Sequence, residues 1–274
     1  MPPLVSAPAS LPATGGTEAA LAAYDTLAPD YDAFTEGYEY ERWLGSIERW
    51  ARSVGLEGRC VLDVACGTGK SFAPMLKRGY EVAACDLSPA MVAEAAKKHP
   101  GVDPLVVADM RDLPWVSQFH LVTCIDDAVN YLLEEQDLAA ALRSMHRALR
   151  PGGILVFDTN SLLTYRTAFA GTFEVRSGDR LIRWHGGTSD EFAAGEIAHA
   201  SVEVMCPTGV ATSRHVQRHW PVEVLLRCCE EAGFDHVECR GQITGCHLLG
   251  SPDEDSHTKV VWLAVKDARA EETA

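Results

Sequence analysis

Across residues 19–50, apolar side chains recur every three to four positions, as at Tyr24, Leu27, Tyr31 and Phe34, which predicts helix. After Gly55 and Gly58 the pattern shortens. Cys60-Val61-Leu62-Asp63-Val64 reads as a strand, followed by a Gly-rich turn and a helix through Met75 and Arg78. The unit then recurs: residues 80–85 read as a second strand, and Ser88 and Pro89 supply an N-cap and first-turn proline for a helix to Lys98, closed by Pro100 and Gly101. Residues 104–108 and 119–125 are the third and fourth strands. An amphipathic helix over 138–149 stops at Pro151-Gly152-Gly153, and residues 154–157 form the fifth strand. Strands alternating with helices predict a parallel sheet with right-handed crossovers.

From about residue 162 to 220 the period changes. Short β-prone runs such as Val202-Glu203-Val204-Met205 are separated by Ser177-Gly178-Asp179 and Pro207-Thr208-Gly209, which are hairpin signals. A helix over 222–232 closed by Gly233, a strand near Val237 and a last strand over 260–265 follow. The expected fold is α/β: a doubly wound, mostly parallel, seven-stranded Rossmann-like sheet with an N-terminal helical lid and an antiparallel β insertion. The expected divisions are a flexible tail (1–18), the lid (19–56), the sheet domain (57–160 and 221–268), the insertion on its substrate side (161–220) and a second tail (269–274).

Composition narrows the partners. With 274 residues, 47% of them hydrophobic, the chain can bury one substantial core. Its 24 Lys and Arg against 39 Asp and Glu give a formal charge of −15, which repels phosphate backbones and anionic lipid surfaces. Neither nucleic acid nor a membrane is therefore the expected partner. Nine irregularly spaced cysteines in so large a chain read as reduced thiols, not a disulfide scaffold. The first 16 residues lack both the basic start and the apolar stretch of a signal peptide, so a cytoplasmic location is expected. The oligomeric state is left open.

The chemistry gathers at the strand ends. In a doubly wound sheet, ligands sit beyond the carboxyl ends of the strands, facing backbone amides and a helix N-terminus. The turn Asp63-Val-Ala-Cys-Gly67-Thr-Gly69-Lys70-Ser71 occupies that place, and its glycines let the backbone approach a ligand. A dinucleotide fingerprint needs a third small residue where Phe72 stands. A phosphate-binding loop needs a glycine where Val64 stands. Lys70 then reads as an exposed helix-start residue. Asp86 ends the second strand, where a carboxylate can accept both hydroxyls of a ribose; Asp109 with Met110 ends the third, and Asp126-Asp127 ends the fourth. These acids share one edge of the sheet.

Residues 61–69, Ala84-Cys-Asp-Leu-Ser-Pro-Ala-Met91 and Ala108-Asp-Met-Arg-Asp-Leu-Pro114 closely resemble successive motifs of the class I S-adenosylmethionine-dependent methyltransferases. The resemblance implies that Asp63, Gly67 and Gly69 surround the methionine part, Asp86 holds the ribose, and Asp109 with Met110 addresses the adenine. Tyr24, Arg42, Ala65, Leu87, Met91 and Asp126 complete the implied cofactor set. It also implies a last strand inserted antiparallel beside the fifth. The lead-in Tyr24-Asp25-x-x-Ala28-x-x-Tyr31-Asp32 and the antiparallel insertion are similar to small-molecule enzymes, especially N-methyltransferases of amino sugars, glycine and related amines.

The expected reaction is methyl transfer from S-adenosylmethionine, with S-adenosylhomocysteine as product, to a small molecule, more readily an amine than an alcohol. An uncharged amine already carries its lone pair, whereas a hydroxyl needs a base. A small-molecule O-methyltransferase, a non-catalytic S-adenosylmethionine-binding protein and a nucleotide-dependent oxidoreductase are the alternatives. Phe72 argues against the last. Tyr31, Phe34, Tyr38, Asp127, Asn130 and Gln217 are the expected acceptor contacts. His215, Gln217 and His219 alternate on one predicted strand and so share a face, with His215, His219 and Tyr31 the candidate catalytic groups. Four residues of strand separate the two histidines by about 13 Å, too far for one ion, so no metal is expected. His257 is a weaker candidate.

Overall fold

The computed structural model describes residues 15–207, 209–243 and 246–268. Residues 1–14 and 269–274, read above as tails, lie outside the described residues.

The N-terminal segment is not one helix. It comprises α1 (Gly15–Leu27), a 3-10 turn (Ala28–Asp30), α2 (Tyr31–Phe34) and α3 (Tyr40–Ser53). The break after Leu27 falls at Pro29, which lacks the N–H a continuing helix needs. Helix α1 begins within the stretch expected as tail. The alternating elements follow: β1 (Cys60–Val64), α4 (Ala73–Lys77), β2 (Glu81–Asp86), α5 (Pro89–Lys98), β3 (Leu105–Val107), β4 (Phe119–Cys124), α6 (Glu135–Ala148) and β5 (Leu149–Asn160). Ser88 caps α5 as expected, accepting from Met91 N at 3.1 Å. Strand β5 is longer than its apolar run, because the polar residues after Phe157 continue to pair along the sheet.

The insertion opens with α7 (Leu162–Thr167) and continues as β6 (Thr172–Ser177), β7 (Arg180–Gly186), β8 (Ile197–Cys206) and β9 (Gly209–Arg218). These four strands form a separate antiparallel sheet in sequential order. The chain then returns to the main sheet through α8 (Val222–Glu231), β10 (Phe234–Ile243), β11 (His247–Leu248) and β12 (Lys259–Lys266).

The main sheet has the order β11-β10-β12-β5-β4-β1-β2-β3. Its five βα strands run parallel, and β12 lies antiparallel between β5 and β10. The two-residue β11 makes it eight-stranded where seven strands were expected. Strand β1 is flanked by β2 and β4, so the winding reverses there and opens a crevice at the carboxyl ends. Alternation along β1 divides the core: Leu62 and Val64 pack with Leu138, Leu142 and Met145 of α6, and Val61 packs with Leu44, Ile47 and Trp50 of α3. A third apolar cluster joins Leu27 and Tyr165 to the inner face of the second sheet, at Ile182, Trp184, Ala200 and Val202.

Candidate active site

Two clefts meet over the crevice. The first, with about 910 Å³ of free space including its open side, lies between helix α1 and the carboxyl ends of β1–β4. Its sheet side carries Ala65, Gly67, Asp86, Leu87, Asp109, Met110 and Asp126, and Tyr24 and Tyr31 cover it from the N-terminal segment. The turn after β1 is bent by left-handed residues, with φ of +56° at Ala65 and +54° at Gly67. A Cβ on Gly67 would stand 3.5 Å from the Tyr31 ring, so the missing side chain keeps the turn open to the cleft. Asp86 holds the turn: its Oδ2 accepts from Gly67 N at 2.8 Å and its Oδ1 from Ser88 N at 2.9 Å. Burial pushes the Asp86 carboxyl up to about 6, against the lowering effect of those amides. Asp109 is fixed by Arg111, whose guanidinium also reaches Asp137 at 3.0 Å.

This lining fits S-adenosylmethionine. Asp86 accepts one backbone N–H at each oxygen, which leaves further lone pairs for hydroxyl donors. Leu87, Ala108 and Met110 offer apolar surface for a flat base, and the bare backbone at Gly67 admits close approach.

The second cleft, with about 840 Å³ of free space, lies between the N-terminal helices and the antiparallel sheet. Tyr31, Phe34, Tyr38, Asp127, His215 and Gln217 line it, and Tyr24, Tyr31, Asp126 and Tyr131 belong to both clefts. The junction is built on strained backbone: Asp126 and Asp127 are consecutive non-glycine residues at φ of +70° and +54°. Their amides donate to the two oxygens of Asp158, at 2.5 and 3.0 Å. Lys259 Nζ closes the group, 2.6 Å from Asp127, 2.8 Å from Asp158 and 3.5 Å from Asp126. Burial opposes the lysine charge, but the three carboxylates together hold it well above the usual lysine value. Burial also pushes the Asp126 carboxyl up to about 6, although Lys259 pulls it down; its Oδ2 accepts from Tyr40 at 2.8 Å and from Tyr31 at 3.3 Å.

A line of hydrogen bonds leads away from the junction: Tyr24 Oη to Tyr131 Oη at 3.0 Å, Tyr131 Oη to His215 Nδ1 at 2.8 Å, and His215 Nε2 to Ser213 Oγ at 3.1 Å. Burial pushes the His215 imidazole down to about 4.

Several expected site residues stand elsewhere. Strand β9 ends at Arg218, so His219 leaves the face shared by His215 and Gln217; it is buried, bonded to Gly195 N and Glu254, and lines neither cleft. Asn130 is buried beneath the junction, where Nδ2 donates to Arg218 O and Oδ1 accepts from Asn160 N. Arg42 is exposed and pairs with Glu39, outside both clefts. Asp63 lies one layer below the turn, bonded to Ser71 Oγ and to Thr123 Oγ1, with its carboxyl pushed up to about 6 by burial. Gly69 and Met91 also support the first cleft without lining it. His257 accepts from Asp253 N, and its ring fills the space a Cβ on Gly241 would need. Lys70 is not an exposed helix-start residue: its Nζ donates to Thr35 O at 2.8 Å and ties the N-terminal segment to the turn.

Lys259, Asp158, Tyr131 and Tyr40 were not singled out from the sequence. The available signals were a lysine opening an otherwise apolar strand and an aspartate directly after one. Among the described residues, no helix is long and apolar enough to cross a membrane, and no His, Cys, Asp and Glu group could hold a metal ion.

A family model for a methyltransferase domain matches residues 61–153. YqeM of Bacillus subtilis, named as a methyltransferase, is 31% identical over 77% of this chain and 86% of its own length. A dTDP-4-amino-2,3,4,6-tetradeoxy-D-glucose N,N-dimethyltransferase of Saccharopolyspora spinosa is 32% identical over 47% of this chain, and the match spans about half (52%) of that enzyme. Among solved structures, an S-adenosylmethionine-dependent methyltransferase from Clostridium acetobutylicum superposes with a TM-score of 0.71 at 21% identity, covering 89% of this chain and 99% of that one. With the fold, the first cleft and these relatives in agreement, the chain belongs to the S-adenosylmethionine-dependent methyltransferases.

Proposed function

We propose that the methyl acceptor is a small molecule that presents an amine nitrogen at Asp126, in the second cleft. The observation that carries this reading is the position of Asp126: it borders both clefts, and Asp127 stands beside it on the acceptor side. When bound, S-adenosylmethionine supplies an activated methyl on a sulfonium. In the first cleft, Asp86 accepts the ribose hydroxyls, Asp109 and Met110 meet the adenine, and the Ala65–Gly67 turn meets the methionine part. In the second, Asp126 and Asp127 attract and orient an ammonium, and the acceptor reacts with its lone pair once the proton has left. A carboxyl pushed up to about 6 takes that proton more readily than an ordinary aspartate. Tyr24, Tyr31 and Tyr40 enclose the junction and exclude water. The S. spinosa relative, named as an amino-sugar N,N-dimethyltransferase, supports nitrogen as the acceptor atom.

The test is to incubate the protein with S-adenosylmethionine and candidate metabolites, then locate the new methyl by mass spectrometry and NMR. Attachment to nitrogen is expected; attachment to oxygen or carbon would overturn the amine reading. A hydroxyl acceptor would draw on the Tyr131–His215 pair, where the neutral imidazole stands 2.8 Å from the phenol oxygen.

A further inference from the structure

The walls of the second cleft limit what can carry the nitrogen, given the amine reading above. Among its described lining residues the one cation is Lys259, and Asp126, Asp127 and Asp158 surround it. Three carboxylates around one ammonium leave that floor net negative. A diphosphate entering the cleft would find its single cation already matched and would face Asp126 and Asp127.

Several polar side chains of the lining already donate within the protein. Thr35 Oγ1 donates to Tyr31 O at 2.8 Å, and Thr164 Oγ1 donates to Thr258 O at 2.6 Å. Gln217 donates to Asp127 at 2.6 Å and accepts from Asn160 at 3.0 Å. These groups therefore have few free donors to offer an anionic ligand.

Part of the lining is aromatic and apolar. Phe34, Phe173 and Trp184 are mutually stacked, with ring centroids 5.8–6.2 Å apart and planes within 15–22°. Trp184 is buried, whereas Phe173 is 42% exposed. Such faces pair with an aromatic or otherwise apolar ring.

We infer that the acceptor is a phosphate-free amine on an apolar, ring-bearing body, with its nitrogen at Asp126 and Asp127 and its ring against Phe34, Phe173 and Trp184. The acidic floor admits the charged end, and the stacked rings hold the remainder.

Calorimetry on the full chain loaded with S-adenosylhomocysteine compares 2-phenylethylamine with a dTDP-linked amino-hexose, and methyl transfer to each is followed by mass spectrometry and NMR. Saturable binding of 2-phenylethylamine is expected, weakened about three- to tenfold by Phe173→Ala, a half-exposed position whose loss leaves the fold intact by circular dichroism. The dTDP-linked compound should bind more weakly. Tighter binding or faster N-methylation of the dTDP-linked compound would overturn this inference and leave the amine reading standing. No saturable binding of 2-phenylethylamine, or unchanged affinity in Phe173→Ala, would overturn it too. A methyl found on oxygen or carbon would overturn the amine reading itself.

Discussion

Lys259 Nζ stands 2.8 Å from Asp158 Oδ2, and the same carboxylate accepts both strained amides of Asp126 and Asp127. One buried side chain on β5 thus fixes the bend at the end of β4 and anchors the ammonium on β12. The two clefts meet on this arrangement, so its loss should be felt in stability before chemistry.

Asp158→Ala leaves two buried N–H groups without their acceptor and removes one of the partners of a buried cation. Breaking such an arrangement costs about 3–5 kcal/mol. Urea denaturation should report a loss of that order, with Asp158→Asn intermediate because one acceptor oxygen remains. A loss under about 1 kcal/mol would mean that the bend is held by something else.

His215 should make the fold sensitive to acid. Its folded value of about 4 lies below the ordinary histidine value of 6.5, so between the two the unfolded chain binds a proton that the native state does not. Stability from this residue is fully present above the ordinary value and is lost as pH falls towards about 4, by up to about 3 kcal/mol. The difference in unfolding free energy between wild type and His215→Phe should therefore shrink between pH 7 and 4.5. A difference independent of pH would contradict a buried, neutral imidazole.

The β1–β5 half of the sheet was legible because its strands are short apolar runs bounded by Gly, Pro and Ser, and the residues on the sheet side of the first cleft lie at or just beyond the ends of those strands. The acceptor side was less legible for a physical reason. Lys259 and Asp158 meet only because β12 inserts antiparallel beside β5, in a register that sets Lys259 opposite Asn160. No local pattern records a pairing across 101 positions. His219 misled in the opposite way: alternation carried it onto the face of His215, but the strand stops one residue earlier and the ring turns to Glu254. Arg42 has a comparable cause, since its place on the exposed face of α3 pairs it with Glu39 and not with the cleft.

Gly67→Val should abolish measurable cofactor affinity in a protein that still folds. Its φ of +54° disfavours any β-branched residue, and the added methyls would enter the cleft beside Tyr31. Calorimetry with S-adenosylhomocysteine should show at least a tenfold loss, equivalent to about 1.4 kcal/mol, with circular dichroism unchanged. Normal affinity in the folded variant would mean that this turn does not face the cofactor.

Asp86 combines a structural and a binding task, and its variants can separate them. The carboxylate already accepts from Gly67 N and Ser88 N, so Asp86→Ala loosens the turn as well as removing the proposed ribose acceptor. Hydrogen bonds to a charged group are worth about 1.5–3 kcal/mol, so its affinity for S-adenosylhomocysteine should fall at least about tenfold. Asp86→Asn keeps one acceptor oxygen and a similar shape, and should fall less. The pH dependence isolates the charge. Because burial raises the wild-type carboxyl to about 6, acidification through that value replaces an acceptor by a proton donor and should weaken binding. Asp63 and Asp126 are also raised to about 6, so the wild-type curve alone does not identify the group. The ratio of wild-type to Asp86→Asn affinity does: it should be largest above pH 7 and decline towards pH 5. A constant ratio, or an Asp86→Ala variant that folds and binds normally, would remove Asp86 from the ribose.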